Sequence, residues 1–110
     1  MSKFMLLIRN EGDPMATVNE QDREMIMQKW GAYMGGLGDK LVDGLPFGSE
    51  GKVVSNAGVS NGRHEEATVN VGGYLILEAS NLDEAVQLAQ GCPAVENPSS
   101  NIEVRECVNM

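Results

Sequence analysis

The chain has 110 residues and a mass of 11.8 kDa, enough for one domain over residues 1–110 with its own core and too little for a second. Eight Lys and Arg against sixteen Asp and Glu leave a formal charge of -8, which repels phosphate backbones and anionic lipid, so neither nucleic acid nor a membrane is an expected partner. Near the N-terminus one Lys precedes only five consecutive apolar residues, too few for a signal peptide or a membrane span, and a cytoplasmic protein is expected.

Lys3 to Arg9 reads as a strand with Phe4, Leu6 and Ile8 on one face and Met5 and Leu7 on the other, apolar on both sides. After a turn at Gly12, Asp13 and Pro14, Thr17 with Glu20 forms a capping-box pattern that starts a helix over Val18 to Leu37. Ile26, Trp30, Tyr33, Met34 and Leu37 recur at helical spacing as its buried stripe, and Gly35, Gly36 and Gly38 stop it. Lys40 to Phe47 contains a second strand, which Gly44 and Pro46 interrupt or end. Small residues then run to Gly62, with one short strand over Lys52 to Ser55.

Gly72 and Gly73 precede a strand over Tyr74 to Ala79, again apolar on both faces. Asn81 with Glu84 caps a second helix whose apolar face is Leu82, Ala85, Val86, Leu88 and Ala89, ended by Gly91 and Pro93. A last strand, Ile102 to Val108, alternates Ile102, Val104 and Val108 with Glu103 and Arg105. This order predicts an α+β fold, the split βαβ arrangement of ferredoxin-like proteins: an antiparallel sheet with two helices on one face. Met5, Leu7 and one face of the Tyr74 strand would then be wetted, and a second copy of the sheet is the simplest cover, so a homodimer is expected.

Taken together, Lys3-Phe-Met-Leu-Leu-Ile8, Trp30-Gly-Ala-Tyr-Met34, Leu41-Val-Asp-Gly44 with Pro46, Gly72-Gly-Tyr-Leu-Ile-Leu-Glu78, Asn81-Leu-Asp-Glu-Ala85, Cys92-Pro-Ala94 and Ile102-Glu-Val-Arg105 resemble the YCII-related family. The nearer likeness is to its branch named for an Asp-Gly-Pro-Phe motif. That resemblance implies a dimeric α+β barrel of ferredoxin-like subunits, with a cleft between sheet and helices, in bacterial cytoplasmic proteins. At the eponymous motif the chain has Asn61-Gly62-Arg63-His64, so only the glycine is kept, while Glu66 falls where the family commonly carries an acid. Some relatives are associated with a catalytic dyad of an aspartate and a first-helix histidine, and one type removes chloride from chlorinated hydroxyquinols. The first helix here has no histidine, and that dyad is not carried over.

His64 is the single histidine and the natural general acid or base near neutral pH, although charged Arg63, Glu65 and Glu66 around it fit an exposed loop equally well. Asp43 fits two roles, a carboxylate for proton transfer or a turn former that accepts a backbone bond before Gly44. Trp30, Tyr33 and Tyr74 are explained by core packing, or by the wall of a pocket for a flat ligand. Glu78 shares a strand face with Tyr74 and Ile76, where a carboxylate is costly unless paired or wet. Cys92 and Cys107 lack CxxC spacing and are expected as free, buried thiols. No phosphate-loop, nucleophile-elbow or zinc spacing occurs, and no metal or cofactor is expected. Three functions follow: a module binding a small apolar or aromatic molecule in a cleft at the dimeric sheet, a small enzyme of proton-transfer, elimination or lyase type using Asp43 and His64, or a structural dimerisation domain.

Overall fold

The computed structural model describes residues 1–12, 18–48, 50–61 and 69–109. Their elements run β1 (Ser2–Glu11), α1 (Glu20–Leu37), β2 (Leu41–Pro46), β3 (Lys52–Ser55), β4 (Gly58–Asn61), β5 (Val69–Ala79), α2 (Leu82–Gln90) and β6 (Ser100–Glu106). Four strands form one sheet in the order β2-β5-β1-β6, with every neighbour antiparallel. Each strand-helix-strand unit therefore has its two strands split by a strand of the other unit, which is the ferredoxin-like topology the element order predicts. The hairpin β3–β4 is a separate two-stranded sheet between β2 and β5.

Strand alternation divides the sheet. Phe4 and Leu6 are fully buried and Ile8 nearly so, and on the same face stand Leu75, Leu77 and Ala79 of β5. Ala85 and Ala89 of α2, with Leu37 of α1, close over them. Burying a leucine in this way contributes about 2 kcal/mol, so this helix-side layer carries most of the fold's stability.

Both helices begin on asparagine. Asn19 is extended and its side chain accepts the Asp22 N–H at 2.8 Å, and Asn81 does the same for Glu84 at 2.9 Å. In addition, the Glu84 carboxylate accepts the Ser80 N–H at 3.2 Å. Helix α1 thus starts at Glu20 rather than Val18, because Asn19 provides the cap; Thr17 lies outside the described residues, as do Asp13 and Pro14. Gly35 and Gly36 continue the helix instead of stopping it. Gly38, at φ 57°, makes the left-handed exit that favours glycine and returns its N–H to the Gly35 carbonyl.

Other boundaries also differ from the expectation. Gly44 lies inside β2 without interrupting it, while Pro46 ends the strand as expected. Pro46 is tolerated because β2 is an edge strand, and a Cβ on Gly44 would collide with the Leu75 side chain and stand 2.9 Å from the Tyr74 carbonyl, so glycine lets β2 lie against β5. Strand β5 starts at Val69, well before Tyr74. Gly72 and Gly73 do not precede it but form a bulge, with Ile8 opposite Gly73, Arg9 opposite Val71 and Gly72 as the extra residue. The last strand is Ser100–Glu106; Val108 falls beyond it and is exposed. On α2, Leu82 and Val86 are exposed, because the stripe that meets the sheet is Ala85, Leu88 and Ala89. Cys92 is buried as expected, whereas Cys107 is exposed just past the end of β6.

Candidate functional site

Helix α1 packs loosely. Leu37 is its one buried residue, while Ile26, Trp30, Tyr33 and Met34 are half-buried. Trp30 and Met34 on a helix that approaches the sheet mainly at its C-terminal end leave a cleft of about 460 Å³ between α1, the sheet and the 3-10 turn Pro93–Glu96. Its floor is Ile8, Gly44, Gly73 and Leu75, its wall Ile26, Trp30 and Met34, and its polar end Asn10, Asn97 and Ser100. Across the rim, Lys29 Nζ meets Glu96 Oε2 at 3.0 Å, tying α1 to the 3-10 turn. Both side chains are more than half exposed, so the pair adds little stability. It does leave the cleft's charged lining balanced among the described residues.

The polar end is organised by the strands. Phe4, Leu6, Ile8 and Asn10 point to the helix side in turn, and Asn10 is the polar member of that series. Ser100, its partner across β1 and β6, donates its hydroxyl to Asn10 Oδ1 at 2.5 Å. A Cβ on Gly72 would collide with the Asn10 amide nitrogen, so the bulge glycine makes room for this side chain.

The residues singled out from sequence are distributed over two faces. Trp30 lines the cleft, with its ring 6.3 Å from that of Tyr33 at 83°, an edge-on contact. Tyr33 does not line it: the hydroxyl donates to the Leu88 carbonyl at 2.6 Å and bolts α1 to α2. Burial, with Cys92 close by, pushes its phenol up to about 12, so it stays protonated. Burial likewise pushes the Cys92 thiol up to about 11, against the opposing pull of a backbone bond at Ala94.

Asp43 stands on the other face of the sheet, opposite Ile76 in register. One oxygen accepts the Gly44 N–H at 2.8 Å, within β2 and not at the turn expected there, and the other accepts the Tyr74 hydroxyl at 3.4 Å. Tyr74 borders the cleft where β2 and β5 meet, and its ring lies 5.8 Å from that of Phe47. Desolvation first, then the charge and hydrogen bond of Asp43, raise the Tyr74 phenol above its ordinary value. Glu78 is half-buried on the same open face, across from Lys3 of β1, and away from the cleft. His64 and Glu66 lie outside the described residues; of the others, the structure brings Asp43 to Tyr74, and Trp30 and Tyr74 to the same cleft.

Asn10, Lys29, Glu96, Asn97 and Ser100 were not singled out by sequence reasoning. For Asn10 a signal existed, since it is the polar residue that extends an apolar alternation of inward positions. Among the described residues no group of His, Cys, Asp and Glu could hold a metal ion, and no helix is long and apolar enough to cross a membrane.

Fold and cleft together define a ferredoxin-like α+β protein with an apolar recess between its first helix and its sheet. The chain belongs to the YCII-related domain family, whose model matches residues 2–110. Among solved structures it is similar to the 5-chloro-2-hydroxyhydroquinone dehydrochlorinase of Burkholderia phenoliruptrix AC1100 in complex with 2,5-dihydroxybenzoquinone. The TM-score is 0.59 at 18% identity, over 97% of this chain and 95% of that one, a likeness of fold. No curated protein matches the chain.

Proposed function

We propose that this protein binds a small, flat, largely apolar molecule in the cleft between α1 and the sheet, and that it works as a homodimer. The observation that carries the first part is the cleft itself: about 460 Å³, within the size range of small-molecule sites, walled by Trp30 and aliphatic side chains and polar at one end. That a structural neighbour holds a small quinone supports the same class of ligand. Trp30 is the chain's single tryptophan, so its indole N–H gives one NMR signal. Titration with small aromatic compounds should move that signal saturably; an unmoved signal across such a set would overturn the proposal.

Support for the dimer comes from the open face, where Met5, Leu7, Tyr74 and Ile76 are only half-covered within the chain and Leu45 is 60% exposed. Two such faces packed together would bury them from water. A monomer in sedimentation at micromolar concentration would refute it. A catalytic reading keeps one specific support, the Asp43 and Tyr74 pair on that face: a carboxylate beside a protonated phenol can pass a proton, with His64 as the further candidate acid or base. Its test is an NMR titration of the single histidine, where a free-histidine curve together with unaltered function of His64→Ala would remove the role.

A further inference from the structure

Resting on the cleft reading above, we infer that the Asn10 carboxamide is the specificity-determining group of the site: it donates a hydrogen bond to an acceptor oxygen, such as a carbonyl, on an uncharged aromatic ligand. Asn10 follows Phe4, Leu6 and Ile8 on the inward positions of β1, so its side chain enters the end of the cleft rather than solvent. Its orientation is set from two sides. The Ser100 hydroxyl donates to Oδ1 and holds that oxygen toward β6, and the missing Cβ of Gly72 leaves room for the nitrogen. The amide N–H is then the group the carboxamide presents to a ligand as a donor, and an acceptor oxygen complements it.

Charge narrows the class further. Lys29, the cation lining the cleft among the described residues, is held by Glu96, and the chain as a whole carries -8. Among the described residues a carboxylate entering the cleft would meet no cation but Lys29, already paired with Glu96, whereas a ketone or quinone oxygen needs only the one donor. Asn97 at the same end has its oxygen held by the N–H and the hydroxyl of Ser99 and stands at the end of the 3-10 turn, whereas Asn10 is fixed on the sheet by β1, Ser100 and the gap at Gly72. Asn10 is therefore the carboxamide that the sheet itself places to discriminate.

Acetophenone and isopropylbenzene are close in shape and differ in the acceptor oxygen. Their affinities can be read from the Trp30 indole signal in the full chain and in Asn10→Asp, which keeps the size of the side chain and removes the donor. The ratio of acetophenone to isopropylbenzene affinity should fall about five-fold in Asn10→Asp, as expected for one lost hydrogen bond. Gly72→Ala, which crowds the amide aside, should lower the ratio in the same direction even if Asn10→Asp folds poorly. Unchanged ratios in the folded variants, with isopropylbenzene still bound, would overturn the role of Asn10 and leave the cleft proposal standing. Failure of both compounds to move the Trp30 signal of the unaltered chain would instead overturn the cleft proposal, and the inference with it.

Discussion

The two faces of the four-stranded sheet are made by alternate residues of the same strands, yet they are finished differently. On the helix side Leu6, Leu75 and Leu77 are sealed under α2 and the end of α1, while on the open side Met5, Leu7 and Ile76 are left half-covered. Nothing in local strand chemistry separates Leu6 from Leu7. What separates them is the hand of the connections, which puts both helices on one side. Polar chemistry is split in the same way, with Asn10 and Ser100 at the end of the helix-side cleft and Asp43 with Tyr74 on the open face.

The largest expected difference between the two faces comes from shortening one side chain on each face of β5. Leu77→Ala removes a fully buried side chain and should cost about 3 kcal/mol in urea unfolding. Ile76→Ala, one residue away, should cost about 1 kcal/mol or less at high dilution, with a larger loss appearing as concentration rises if the open face is the dimer contact. Equal costs at every concentration would show that the faces are equivalent. Next in size is Gly44→Ala, which should cost about 2 kcal/mol, because the added methyl meets the Leu75 side chain and the Tyr74 carbonyl and β2 has to shift.

The cysteines extend the contrast to titration. Cys107 is exposed and should react at once with a thiol reagent, while Cys92, 1% exposed, should react only as the fold opens. Cys92 is raised from 9.0 to about 11 and Tyr33 from 10.0 to about 12, so in both cases the folded chain holds a proton that the unfolded chain releases first. Their contribution is complete below about pH 9 and is lost as pH rises from there toward 12. Unfolding measured over that range should show stability falling, and Cys92→Ala should flatten the part between pH 9 and 11. A stability that is level there in the unaltered chain would contradict the burial of both groups.

Much of this was legible in the sequence. Period-two alternation located β1 and the body of β5, the asparagine cap of α2 marked its start, and the order of elements predicted the sheet topology. The misses at strand and helix boundaries lie mainly at glycines, whose local tendencies were overridden by tertiary contact. Gly44 and Gly73 sit in strands because their neighbours come too close for a side chain, and Gly35 and Gly36 stay helical because the chain exit is made at Gly38. Cys107 misled for another reason: its burial was expected from the usual habit of free cysteines, although alternation sets it on the face of Glu103 and Arg105. The site was less legible. A cleft between a helix and a sheet depends on how far the helix stands off, which no spacing in α1 encodes, whereas Asn10 could have been found as a polar residue in an inward series.

The finest comparison uses the two tyrosines, one bonded on each side of the sheet. Tyr33 donates to the Leu88 carbonyl at 2.6 Å in a half-buried setting, and removing the hydroxyl leaves that carbonyl with only the longer Gly91 N–H bond at 3.3 Å, so Tyr33→Phe should cost about 1 kcal/mol. Tyr74 reaches Asp43 at 3.4 Å on an exposed face, where water can replace either partner. At high dilution, where the open face is wet, Tyr74→Phe should therefore change stability by no more than about 0.5 kcal/mol, the range of most surface substitutions. The pair separates packing from function. If Asp43 and Tyr74 take part in proton transfer, Tyr74→Phe should impair turnover while leaving the unfolding midpoint nearly unmoved, and Tyr33→Phe should do the reverse. A stability loss from Tyr74→Phe as large as that from Tyr33→Phe would mean that the open face is buried in the working protein, and would strengthen the case for a second copy lying against it.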